Sequence, residues 1–304
     1  MTFSASVEAW RARGRMLRLR EVDVFVAEGG HGSAMPLVML HGFPTSSFDY
    51  HAIFDRLGQG RRVVTLDFPG FGFSDKPTSY GYSLFEQADV VELALVRLGV
   101  GRAHLFAHDM GTSITTELLA RREAGLLHCG LESVVLMNGS VHIELAHLTP
   151  SQRLLLQPHL GPLLARLASR TLFRAQLRRI LGPGANVADT ELDDLFALVR
   201  HNDGHLRLPA IIEYVRERRR FARRWIGALE RLDLPTLILW GLRDPVAVPA
   251  IAERLAAEIP DARLQTLDEI GHYPQLEAPT SVVEAVVAFH TAVEAGARGA
   301  TCVS

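Results

Sequence analysis

Along the chain, short apolar runs alternate with longer stretches in which apolar residues recur every three or four positions. The runs at 16–21, 22–27, 36–40, 62–66, 104–108, 133–137, 236–240 and 263–267 read as strands, the first two forming an antiparallel hairpin. The stretches 48–57, 84–98, 111–122, 249–258 and 281–293 read as helices. This alternation predicts an α/β protein whose eight-stranded sheet is mostly parallel. Between about 141 and 232 it stops, and one helical pattern follows another. That stretch is rich in Leu and Arg and is broken at Pro150, Pro158, Gly161-Pro162 and Gly182-Pro183-Gly184. A structureless loop is rarely so long. Residues 141–230 are therefore expected to form a helical cap inserted into a core domain of residues 1–140 and 231–304.

Four segments that follow predicted strands carry candidate chemistry, and in open parallel sheets sites gather at the carboxyl ends of strands. The run Leu105-Phe106-Ala107-His108 ends in a tight turn with Asp109 at its centre and Gly111 beyond it. Hydrolases often place Gly-x-Ser-x-Gly at such a strand-to-helix corner; here the central residue is a carboxylate. Alone, Asp109 reads equally well as a helix N-cap. His41-Gly42-Phe43-Pro44 follows the 36–40 run, and its glycine permits close backbone approach. The N–H of Phe43, with that of Met110 at a helix start, can form a pair of oxyanion donors.

Asp244 closes the seventh strand in Trp240-Gly241-Leu242-Arg243-Asp244-Pro245. His272 follows the eighth in Ile270-Gly271-His272-Tyr273-Pro274. Each of these has an ordinary turn reading by itself. Together they give nucleophile, acid and histidine in chain order, with the insertion between the first two. That is the order of the α/β-hydrolase triad.

These motifs, with Asp67-Phe68-Pro69-Gly70-Phe71-Gly72-Phe73-Ser74, resemble the aspartate-nucleophile branch of the α/β-hydrolase superfamily, which includes epoxide hydrolases and haloalkane dehalogenases. The resemblance covers nearly all of the chain outside the insertion. It implies Asp109 as nucleophile, His272 as base, Asp244 as its partner, and a cap that roofs a substrate pocket. An ionised Asp needs no general base for its first attack. Attack on an sp³ carbon gives an alkyl ester that His272-activated water can hydrolyse.

Dehalogenases of this kind hold the halide with a Trp after the nucleophile and an Asn or Trp in the first loop. Here those positions are Met110 and Phe43, whose side chains are not strong donors. Epoxide hydrolases protonate the leaving oxygen from cap tyrosines, and the insertion holds one, Tyr214. The expected activity is therefore epoxide hydrolase-like. A haloalkane dehalogenase, a lactone-opening relative and a ligand-binding scaffold remain open. The stretch 214–229 also resembles the mesoderm-specific-transcript-like hydrolases.

The net charge of −2 over 304 residues points to neither nucleic acid nor an anionic membrane as a global partner. No apolar run reaches a membrane span, and the Arg-rich N-terminus lacks the apolar core of a secretory signal. Two cysteines, Cys129 and Cys302, suggest a reducing compartment and no disulfide. A cytoplasmic, cofactor-independent enzyme, monomer or homodimer, acting on a small apolar electrophile is expected. The clusters His142–His147 and His201–His205 lack the spacing of a metal site. Arg166, Arg170, Arg174 and Arg178 recur every fourth residue, as if on one helix face. Such a face is either solvated or a docking site for an anionic partner or lipid surface.

Overall fold

The computed structural model describes residues 2–301. The strands are β1 (Gly14–Leu19), β2 (Val22–Gly29), β3 (His31–Leu40), β4 (Gln59–Leu66), β5 (Arg102–His108), β6 (Gly130–Met137), β7 (Thr236–Gly241) and β8 (Ala262–Leu267). They form one sheet in the order β1-β2-β4-β3-β5-β6-β7-β8. β2 is antiparallel to β1 and β4, and every other pairing is parallel. This is the α/β-hydrolase architecture expected from the sequence. The central strands are covered on both faces and so read as unbroken apolar runs: all of β7, and β5 beyond its first residue, is buried.

All eight strands fall where the runs predicted them, but β3 starts five residues early. Its first half, His31–Met35, has little apolar content and pairs with β4 through two register shifts. Pairing, not hydrophobicity, extends it. The stretch 48–57 is a 3₁₀ turn, Ser47–Tyr50, and a separate helical turn, Phe54–Leu57. An N-terminal helix, Ala5–Ala12, has no counterpart in the sequence reading. Ser4 caps it, and it buries Val7 and Trp10. The last helix, Pro279–Thr301, outruns the expected 281–293. Cys129 is buried; Cys302 lies outside the described residues.

Between β6 and β7 every regular element of the chain is helical, and the chain is irregular at 138–149 and 179–188. It runs through Pro150–Leu155, Leu160–Arg166, Arg170–Arg178, Asp189–Arg200, Leu208–Ile211, Tyr214–Arg220 and Ala222–Glu230. The four-residue arginine spacing does not mark one helix face. The helix carrying Arg166 ends there, and Ser169 caps a new one by accepting the Leu172 N–H. Arg170, Arg174 and Arg178 do share that second helix, but they turn toward Asp189 and Asp193 of the next one.

The helix Met110–Glu123 follows β5, and its first eleven residues are buried. Glu117, inside that run, accepts hydrogen bonds from Arg224 Nε at 2.7 Å and Trp225 Nε1 at 2.9 Å. The end of the insertion is thereby fastened to the helix that begins beside Asp109.

Candidate active site

β5 delivers Asp109 to a sharp corner. Its backbone sits at φ 47°, ψ −114°, outside the regions that residues with a Cβ prefer. Two glycines make room for this corner. A Cβ on Gly111 would lie 2.3 Å from Leu40 O, and one on Gly42 would lie 2.5 Å from Asp109 Cβ. The Asp109 side chain does not cap its own helix. Its Oδ1 instead accepts the Phe43 N–H at 2.8 Å, and its Oδ2 lies 3.5 Å from His272 Nε2. The N-cap alternative raised by the sequence therefore fails on geometry.

On the far side of the imidazole, His272 Nδ1 bonds Asp244 Oδ2 at 2.6 Å. Asp244 Oδ1 accepts the N–H groups of Val246 and Ala247, which fix its turn. Burial acts to lower the His272 pKa. The Asp244 charge and the hydrogen bonds to Asp109 and Asp244 outweigh it, so the group is pushed up to about 10. Burial likewise acts to raise Asp109, and the His272 hydrogen bond and charge override it, holding that carboxyl below its usual range. Both shifts favour a protonated ring facing an ionised Asp109.

Met110 is buried at the first position of the helix; among the described residues its N–H forms no hydrogen bond to Asp109. Tyr214 is buried, its ring centroid 5.8 Å from that of Phe43. Burial first, then the Asp109 charge, raises its pKa, so it stays protonated; Arg218 opposes both.

Several positioning residues carry no motif. Asn138, at φ 42° just past β6, donates to Asp244 Oδ2 at 2.8 Å and accepts the Gly241 N–H at 3.0 Å. Its place at a strand end was the only signal in the sequence. Glu277 accepts the N–H groups of Gly182, Gly271 and Tyr273, which clasps the His272 loop to the insertion. His108, with its pKa lowered to about 3 chiefly by burial, bonds the His272 carbonyl through Nε2 at 2.7 Å. Arg218 is buried, gives Nε–H to Ser113 Oγ at 2.7 Å, and lies 4.5 Å over the Tyr214 ring. Nothing in the sequence sets it apart from the arginines on either side.

The first loop is braced in the same way. Asp67 accepts the N–H groups of Ser47 and Phe73, and His41 Nε2 accepts that of Phe68. A cavity of about 110 Å³ opens beside the site. Phe43, Val246 and His272 line one part of it, and apolar side chains of the insertion such as Leu155, Leu164 and Phe173 line the rest. Among the described residues no cluster of three or more His, Cys, Asp or Glu side chains is placed to hold a metal ion. No described helix is long and apolar enough to cross a membrane.

A strained acidic corner after a central strand, faced by a His–Asp pair from later strands, defines an α/β-hydrolase type of site. The chain belongs to the family described as alpha/beta hydrolase fold, which matches residues 35–279. It is 44% identical over 287 residues to the protein named Putative hydrolase LipZ of Mycobacterium tuberculosis, covering 94% of this chain and 98% of that one. It is 37% identical to the mesoderm-specific transcript homolog protein of Homo sapiens, covering 94% of this chain and 88% of the other. Among solved structures, haloalkane dehalogenase DbeA from Bradyrhizobium elkani superposes with a TM-score of 0.80 at 21% identity. That match covers 93% of this chain and 99% of DbeA, and it speaks to the fold alone.

Proposed function

We propose that this hydrolase works through an alkyl-enzyme ester on Asp109, and that its substrate is an epoxide on a small to medium apolar skeleton. Membership of the family, and relatives named as hydrolases, make it a hydrolase. The observation that carries the finer reading is the split environment of the Asp109 carboxylate. Oδ1 sits on a backbone donor while Oδ2 is left facing His272. In this reading Oδ2 attacks the ring carbon, the C–O bond breaks, and the departing oxygen takes a proton from Tyr214. His272 Nε2 then removes a proton from water, which attacks the ester carbon. The oxyanion on Oδ1 is held by the N–H of Phe43, joined by that of Met110. Each such donor is worth roughly 3 kcal/mol. Collapse breaks the ester C–O bond, and Oδ2 leaves in the diol with the second proton of the water; the proton that His272 sheds when the ester forms restores Tyr214. The insertion, residues 141–230, acts as the roof.

A halide leaving group is less well served. The chain has three tryptophans. Their indole N–H groups go to Ser47 Oγ from Trp10, Glu117 Oε2 from Trp225 and the Ala247 carbonyl from Trp240. None is free to hold a halide. The test is a single turnover in ¹⁸O-water with an epoxide in deficit. Label should enter the Asp109 peptide and leave the first-turnover diol unlabelled. Label in that diol would mean direct attack by water and would end the ester reading.

A further inference from the structure

The roof carries a second feature that the chemistry above does not use. Leu154, Leu160, Leu163, Leu167 and Leu172 are all exposed, Leu163 by 53% and Leu167 by 65%. They account for five of the ten exposed large hydrophobic residues among those described, within nineteen positions of sequence. Leu160, Leu163 and Leu167 repeat at the three-four spacing of one helix face, and that face looks outward. The inward-facing residues Leu164 and Ala165 of the same helix line the cavity beside His272. Leu172 both lines the cavity and is exposed. The apolar interior therefore continues onto an apolar exterior. Isolated exposed leucines need no explanation, but five gathered on three consecutive helices whose inner side chains line the cavity point to a binding surface.

Charge identifies what binds there. Between residues 145 and 188 the chain has six arginines and no Asp or Glu, although the whole protein carries a net −2. Arg170, Arg174 and Arg178 are paired with Asp189 and Asp193. Arg153, Arg166 and Arg179 are exposed and form no ion pair among the described residues. A protein partner of ordinary composition, or a second copy, is served by leucines alone. Leucines set among uncompensated arginines suit the headgroup and acyl boundary of an anionic bilayer.

We infer that the helices Pro150–Leu155, Leu160–Arg166 and Arg170–Arg178 form an interfacial membrane-docking surface. It presses the cavity mouth against an anionic lipid surface, from which an apolar substrate enters without crossing water. The inference concerns binding and stands apart from the ester chemistry.

The test is sedimentation of the full chain with phosphatidylcholine vesicles, with and without phosphatidylglycerol, at low and at raised salt. The intact protein should bind the anionic vesicles at least tenfold more tightly than the neutral ones. Leu163→Asp with Leu167→Asp should remove that binding, and Arg153→Glu with Arg166→Glu and Arg179→Glu should weaken it about tenfold. All five positions are exposed, so circular dichroism should show both variants folded. Failure to bind anionic vesicles, or equal binding to both kinds, overturns the inference. So does light scattering showing a dimer in buffer that the leucine substitutions dissociate, which would make this face a contact between copies.

Discussion

Asp109→Asn keeps the shape of the side chain and removes its charge 3.5 Å from His272 Nε2. At an effective dielectric constant near 20, two unit charges at that distance interact by about 5 kcal/mol, or roughly 3.5 pKa units, as an upper limit. The Asp244 contact at 2.6 Å is untouched. His272 should therefore fall from about 10 by roughly 1–3 units and still sit above an ordinary histidine. The assay is an NMR titration of the imidazole nitrogens between pH 5 and 11 in both proteins. Stability should follow by linkage. A histidine whose folded pKa is raised above 6.5 stabilises fully below 6.5 and loses that contribution as pH rises through its folded value. Unfolding free energy should thus decline between pH 6.5 and 10 in the native protein, and decline less in the variant. A His272 titration unchanged by the substitution would refute the coupling. The same coupling bears on the proposed mechanism, because esterifying Asp109 removes its charge just as Asn does. The ring would then release its proton and become a base only once the intermediate exists.

Other outcomes follow from single contacts. Gly42→Ala puts a Cβ 2.8 Å from Asp109 Oδ1, so the carboxylate must leave the Phe43 N–H. Turnover on a proven substrate should fall roughly 100-fold or more, and near-native turnover would dismiss the donor. Asn138→Ala strips a donor from Asp244 and an acceptor from Gly241 N–H. It should lower unfolding free energy in urea by about 1–3 kcal/mol, and no measurable change would remove Asn138 as a brace. Glu117→Ala leaves the donors of Arg121, Arg224 and Trp225 without their acceptor. About 2–3 kcal/mol should be lost, discounted because Arg224 is partly exposed, with an unchanged melting temperature as the contrary result. Tyr214→Phe should depress epoxide opening strongly and barely affect a haloalkane; equal effects would take the hydroxyl out of the chemistry.

The strands were legible because β5, β6 and β7 are buried on both faces and carry little but apolar residues. Asp109 and Asp244 were legible because each follows such a strand; His272 follows β8, an exposed edge strand, and was legible only from chain order and its setting between Gly271 and Pro274. What escaped reading depends on contacts between distant segments. The first half of β3 exists because Gln59–Arg61 lie beside it. Arg218 is a buried contact of Ser113 although its neighbours Arg216, Arg219 and Arg220 are mostly exposed. Charge periodicity misled at Arg166 because a three-residue break re-phased the helix. Glu277 carried no pattern at all, since its three partners are backbone amides brought together by the fold.

Two of the contacts that fasten the 141–230 insertion to the core reach the candidate site. Glu277 holds Gly182 to the His272 loop, and Glu117 with Ser113 holds the 214–225 stretch to the helix behind Asp109. Both anchors touch segments that carry site residues, so any swing at those points would drag the imidazole or the carboxylate out of line. Alignment of the candidate reacting groups is thereby tied to the seating of the insertion, so a substitution at either contact should be felt at Asp109 or His272.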